Sequence, residues 1–391
     1  MSKSLILATQ EKHDPERQRI LMQHAQQITA RLRKQRGVLG VTLSNSVAQG
    51  PVSEASDLDL HVIVSDQFEG SLPQWAFYRK RIIENFHIVH EAQLRRGWRV
   101  RHHPDALAPW FHRTILGEFL HRFLPLWWNP DTKWEERLPV LISLRQNREV
   151  SERVAGCYLR SASRYLTQAL HACDYRATYD SHQYLRQAFR AALNAALVHR
   201  GWTLRGSKKS IEIAQAFLPD PLIESVLAIG FDIVGLTELT PDQARKLCQA
   251  RFAYRKTYLH ELYRIRAQYA QDEYILHKLD VVIRGYGKHN TGAFDYYSAL
   301  LDQKMFLGPI NHIRCFSGLM YLPGQLLSCL RDGKTRWPVQ EFVGLDVLSP
   351  AIRSGWLDLM GLTDSRERCL QLASVLTRSL KKLGGTIRKS I

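Results

Sequence analysis

Two aspartates separated by one residue, Asp57 and Asp59 in the run SDLDLHV, have the types and spacing in this chain best suited to chemistry. On an extended strand, side chains two apart leave the same face with their Cα atoms about 7 Å apart. Two carboxylates so placed converge on hydrated divalent cations. Leu58 and Leu60 take the other face. The aspartates' own face must then be served by metal, water or cationic partners, because burying unpaired carboxylates is very costly. Mg2+ takes carboxylate oxygens together with substrate phosphates, so the pair suits two ions that clamp a nucleoside triphosphate and polarise its α-phosphorus. Just upstream a strand ends in Ser44, Asn45 and Ser46. If a helix begins there, backbone N–H groups and a small hydroxyl suit the β- and γ-phosphate oxygens. Gly50 leaves the following turn unconstrained.

The elements that must position these groups follow from periodicity. Residues 15–36 place Ile20, Leu21, His24, Ile28 and Leu32 at helical spacing, with Asp14 as N-cap before Pro15 and Gly37 as the stop. GVLGVTLSNS and DLDLHVIVS alternate as strands lying side by side, the second with Leu58, Leu60, Val62 and Val64 on one face. NFHIVHEAQL reads as a third strand and RVRHH as a candidate fourth, with a helix over QWAFYRKRIIE before them. Beyond residue 146 the strand signals vanish and apolar residues recur at i, i+3, i+4 and i+7. The expected fold is α+β: a small mixed sheet in the N-terminal part, then a mainly helical C-terminal part. The expected divisions are 1–145, 146–245 and a basic helical 246–391.

At these residues the sequence resembles the DNA polymerase β-like nucleotidyltransferase superfamily. Its motif runs hydrophobic, G-S-x-A-x-G, a short loop, then S-D-h-D-h. The matching positions are Asn45, Ser46, Ala48, Gly50, Ser56, Asp57, Leu58, Asp59 and Leu60, with Asn45 standing where the family has glycine. The resemblance implies a catalytic domain in which Asp57 and Asp59 hold two Mg2+ ions while Asn45 and Ser46 bind nucleotide. It also implies a third carboxylate on the next strand. The acid available in NFHIVHEAQL is Glu91, as metal ligand or general base, and the best hydrophobic-x-hydrophobic placement gives His87 instead. PLWWNPDTKWEERL is similar to the segment that closes the catalytic domain in such enzymes. VHRGWTLRGSKKSIEI is similar to a segment of the helical domain in aminoglycoside-type (kanamycin nucleotidyltransferase-like) members, which aligns Lys209, or Lys208 beside it, with a phosphate-pairing lysine. The motif covers residues 38–65 and the weaker similarity extends to about residue 220.

The implied activity is transfer of a nucleoside monophosphate, AMP ranked first, from a triphosphate to an acceptor hydroxyl. A small-molecule acceptor ranks ahead of RNA. The composition bears on that choice. The 391 residues are 45% apolar and 23% charged, enough for a sizeable core and too apolar for a disordered chain. A formal charge of +17 favours anionic partners, and residues 241–391, with 23 basic and 13 acidic side chains, hold +10 of it. RNA end modification or RNA binding is therefore the second reading. A catalytically degenerate nucleotide-binding protein is the third, prompted by Asn45. The tail Arg378 to Ile391 is the densest basic piece and reads as a solvated terminus. Six cysteines without a C-x-x-C pair suit reduced thiols, and no apolar run is long enough to span a membrane. The expectation is a soluble, cytoplasmic chain. His102, His103, His112 and His121 lack the partners of a tetrahedral site, so no zinc is assigned. Arg255 and His260 read as part of an arginine-rich helix and Trp127, Trp128 and Trp134 as packing aromatics.

Overall fold

The computed structural model describes residues 14–49, 58–70, 77–79, 82–114, 123–175, 178–201, 218–237, 239–268, 350–362 and 365–388, with isolated positions such as 52, 56 and 211 among the rest. The chain opens with α1 (Pro15–Leu32), started by Pro15 and by the Asp14 carboxylate, which accepts from the Arg17 backbone N–H at 2.9 Å. The helix stops four residues earlier than its periodicity implied. Gly37, at φ +86°, makes the left-handed turn into the sheet.

The sheet has five strands: β1 (Val38–Ser44), β2 (Leu58–Val64), β3 (Phe77–Arg79), β4 (Ile82–His90) and β5 (Leu124–Trp128), in the order β3-β4-β2-β1-β5. β2 runs antiparallel to β1 and parallel to β4, so the sheet is mixed. All seven residues of β2 are buried, because each face carries a layer. Leu58, Leu60, Val62 and Val64 pack with Leu21, Ala25, Ile28 and Leu32 of α1. On the other face Ile63, Val89 and Trp128 join the core of the helical part.

Two expectations fail here. The stretch QWAFYRKRIIE is not a helix where it is described: β3 and β4 form an antiparallel pair from it, Tyr78 opposite Ile83. Its β-branched and aromatic residues have high strand propensity, and pairing overrides the helical spacing. RVRHH is the end of a helix and its turn rather than a strand. It closes α3 (Glu91–Arg99) and leads into α4 (Pro104–Arg113). The edge strand β5 was missed, since LPLWW shows no alternation.

β5 seats Trp128 on β1. Gly40 lies under that indole so closely that a Cβ would meet ring carbons at 2.3 Å. Gly40→Ala is expected to cost about 1–3 kcal/mol by overpacking, read as a lower denaturant midpoint with an unchanged slope.

Past α5 (Trp134–Gln146), the described elements are all helical: α6 (Arg148–Asp174), α7 (Thr178–His199), α8 (Pro221–Val234), α9 (Pro241–Gln268), α10 (Pro350–Met360) and α11 (Arg366–Arg388). α7 buries Ala188, Ala192, Ala195 and Ala196, small residues that let neighbours approach, and Gly230 of α8 lies against Phe189. The basic tail is not a frayed terminus through Arg388. α11 docks on the body with Leu372, Leu376, Leu380, Leu383 and Ile387 buried, leaving Arg378, Lys381 and Lys382 exposed. Among the described residues no helix is long and apolar enough to cross a membrane.

Candidate active site

Alternation on β2 sends Asp59, His61 and Ile63 to the face opposite Leu58 and Leu60. Register supplies their neighbours. Ser44 of β1 and Asn85 of β4 flank Asp59, while Thr42 and His87 flank His61. A polar row therefore crosses the middle of the sheet at the end where β1 gives way to α2 (Asn45–Gln49).

The row is linked by contact. His87 Nε2 lies 3.6 Å from Asp59 Oδ1, with the Asp59 side chain 8% exposed and that of His87 33% exposed. The His87 ring stacks on His61 at 4.7 Å, and His61 meets Phe123 at 4.6 Å. His61 Nε2 and Ser44 Oγ form a hydrogen bond of 2.9 Å. Burial is the main reason the His61 imidazole is pushed down to about 3; the neighbouring His87 adds to this, and Asp59 opposes it. His61 is thus a neutral platform under His87 at physiological pH.

That platform has a pH consequence. An unfolded histidine titrates near pH 6.5, so between about pH 6.5 and pH 3 the unfolded chain binds the extra proton. The stability that neutral His61 confers is complete above that range and falls by about 1.4 kcal/mol per unit within it, about 2 kcal/mol by pH 5. Urea midpoints taken from pH 7.5 to pH 5 are expected to fall more steeply in the wild type than in His61→Asn.

The loop side of the site is held by α1. Arg17 donates to the Ser56 carbonyl at 3.3 Å, Gln18 to the Val47 carbonyl at 3.5 Å, and the Asp14 N–H to the Val52 carbonyl at 2.6 Å. Ser46 Oγ donates to Ser56 Oγ at 3.2 Å, so the two hydroxyls of the motif meet across the loop. Asn45 is the first residue of α2, which places a helix start directly after β1.

The structure therefore brings together Asp59, His87, His61 and Ser44, with Ser46 and Ser56 at the adjoining loop. Asp57, Gly50, Lys208 and Lys209 lie outside the described residues. Glu91 is a correction. β4 ends at His90 and Glu91 opens α3, six residues beyond Asn85, about 20 Å along a strand. Its carboxylate accepts from Trp134 Nε1 at 3.0 Å and pairs with Arg95 at 3.5 Å. A carboxylate at a helix N-terminus is a favourable place for structure, and it is not beside Asp59. Glu84, the buried acid of β4, sits on the α1 face and pairs with His24 at 2.6 Å. The titratable group that reaches Asp59 from the next strand is His87, which stands beside His61 in register. His61 was missed, although two residues past Asp59 on an alternating strand it had to share that face. Among the described residues no group of three or more His, Cys, Asp or Glu side chains is arranged to hold a metal.

No family model matches the chain, and no curated protein does. Among solved structures, a nucleotidyltransferase-like protein from Exiguobacterium sibiricum is similar over 86% of this chain and 89% of its own, at 14% identity and a TM-score of 0.31. A superposition that loose carries no argument about activity or ligands.

Proposed function

We propose that the protein is a Mg2+-dependent nucleotidyltransferase moving a nucleoside monophosphate, AMP first, from a triphosphate to the hydroxyl of a small molecule, with pyrophosphate leaving. The observation that supports this best is the placement of Asp59. A mostly buried carboxylate stands at the start of the central strand, beside the β1–α2 junction and next to a part-exposed imidazole. Burial of this kind is costly unless the charge is used or paired.

Asp59 offers a hard oxygen of the kind Mg2+ takes, and the sequence motif offers Asp57 as its companion. His87 offers an imidazole nitrogen, which Mg2+ takes poorly. Bound there, Mg2+ would neutralise triphosphate charge and raise the electrophilicity of the α-phosphorus. The protein's own groups do the rest. Ser46 Oγ turns from Ser56 to a phosphate oxygen, and the N–H groups that open α2 face the same anion. His87, held on the His61 ring, accepts the proton of the attacking hydroxyl in the place assigned earlier to Glu91. Lys209 is assigned to the triphosphate on the sequence resemblance alone.

A second reading, nucleotide binding without transfer, is favoured by one observation: an imidazole stands where the resemblance calls for a carboxylate. Purified protein incubated with labelled triphosphates, Mg2+ and cell extract tests both. Label in a small product supports the first reading, and label in RNA moves the acceptor to nucleic acid. Nucleotide bound without transfer supports the second reading, and no nucleotide bound at all overturns both.

A further inference from the structure

A row of guanidinium and indole groups lies at the far end of the sheet from Asp59. α3 begins where β4 ends, so the helix stands away from Asn85, the position beside Asp59. Its inner side is Leu94 and Gly97, both buried. Gly97 lies so close to Trp110 of α4 that a Cβ would be 2.5 Å from the ring, which locks α3 in place. Its outer side presents Ala92, Gln93, Arg95, Arg96 and Arg99, all exposed. Arg95 is neutralised by Asp66 and Glu91. Arg96 and Arg99 make no ion pair among the described residues.

Two further cations lie over the indole of Trp98. The Arg101 guanidinium is 4.1 Å from its ring centroid and that of Arg137 in α5 is 5.3 Å away, itself 5.5 Å from Trp134. Arg101 also donates to the Trp98 carbonyl at 2.7 Å. Long arginine side chains ordinarily lose rotamer freedom when they bind, and here two are already held against aromatic rings. Arg101, pinned on one ring, keeps its other face for an unpaired base, and Arg137, which meets two rings, offers its edge for a phosphate fork. Glu135 and Glu136, both exposed, precede Arg137 on α5.

The outer face of α3 exposes no apolar side chain larger than Ala92, so it lacks the anchors with which a helix enters a lipid surface. We propose that Arg96 and Arg99 on the outer face of α3, with Arg101 and Arg137 held on Trp98 at its flank, form a binding surface for single-stranded nucleic acid. The surface is independent of the nucleotidyl-transfer reading. It also differs from the basic C-terminal third, whose exposed Arg378, Lys381 and Lys382 line a docked helix.

Fluorescence anisotropy with labelled oligouridylate and oligothymidylate of about twenty nucleotides tests it, using the full chain at about 50 and about 200 mM salt. Arg96→Glu with Arg99→Glu is expected to weaken binding at least about tenfold at the lower salt. It is also expected to flatten the log-affinity against log-salt slope by about 1.4, two contacts at ~0.7 each. Lys381→Glu with Lys382→Glu, the same charge change on α11, is expected to leave affinity within about threefold, and thermal melts check that both variants fold. Stronger binding of the RNA probe than the DNA probe, or equal binding, both fit the surface. Three outcomes overturn the proposal: neither oligonucleotide binds the wild type, both double variants weaken binding equally, or phosphatidylserine vesicles bind while the oligonucleotides do not.

Discussion

Asp59→Asn is expected to lower nucleotidyl transfer by about a thousandfold or more while the chain stays folded. In the proposed reaction the carboxylate holds a cation that offsets charge in the transition state, an effect worth several kcal/mol, and each 1.36 kcal/mol is tenfold in rate. Asn keeps the shape and removes the charge. Because the side chain is mostly buried, the charge itself is a cost to folding, so the melting temperature is expected to hold or rise. The measurement is label transfer from triphosphate beside a thermal melt of the same sample. Transfer retained at wild-type rate in a folded Asn variant would place the chemistry elsewhere.

The second large effect concerns stability. Arg186 of α7 is fully buried. It donates to the Ile233 carbonyl at the end of α8 at 3.3 Å, and to the Gly361 carbonyl just past α10 at 2.8 Å. One cation thus ties three helices together through the carbonyls at two helix ends, groups with no partner inside their own helices. His182 shares the Ile233 carbonyl at 2.8 Å, so that acceptor keeps one donor when Arg186 is lost, while the Gly361 carbonyl loses the bond from Arg186. Arg186→Ala removes the hydrogen bonds and leaves a cavity, for an expected loss of about 3–5 kcal/mol. Arg186→Met fills most of the volume without the charge and is expected to lose markedly less. Denaturant unfolding of the pair separates packing from hydrogen bonding. Equal losses in the two variants would show that the cation, not its volume, holds the helices.

Much of the scaffold was legible before any coordinates. The alternation of DLDLHVIVS places Leu58, Leu60, Val62 and Val64 against α1 and Asp59 on the other face, as found. Asp14, Pro15 and Gly37 bracket the first helix and its exit because their backbone chemistry is local. Partners set by register were not legible. That His87 stands next to His61 depends on the parallel pairing of β2 with β4, and nothing in either segment alone fixes that offset. The same gap misled the choice of Glu91, a residue of the right type just past the end of the right strand. β3 was lost for a related reason. FYR acquires strand geometry from Ile82 to Glu84 across the hairpin, not from its own spacing. The docking of α11 escaped because its lysines and arginines dominate the composition, while the leucines on the other side decide where it lies.

The closure of α11 on α6 and α7 bears on the order of assembly. Cys369 reaches the Thr178 carbonyl and Arg366 the Cys173 carbonyl, joining positions nearly two hundred residues apart, whereas β1 meets β2 across a short loop. Distant pairings form late because a long intervening segment must first be drawn together. The sheet bearing Asp59 can therefore collapse onto α1 while the helical half still lacks its last wall, and Leu372, Leu376 and their partners on α6–α8 remain sticky until the end. In this molecule the vulnerable interval during maturation belongs to the half that holds the scaffold, not to the half that holds the carboxylate.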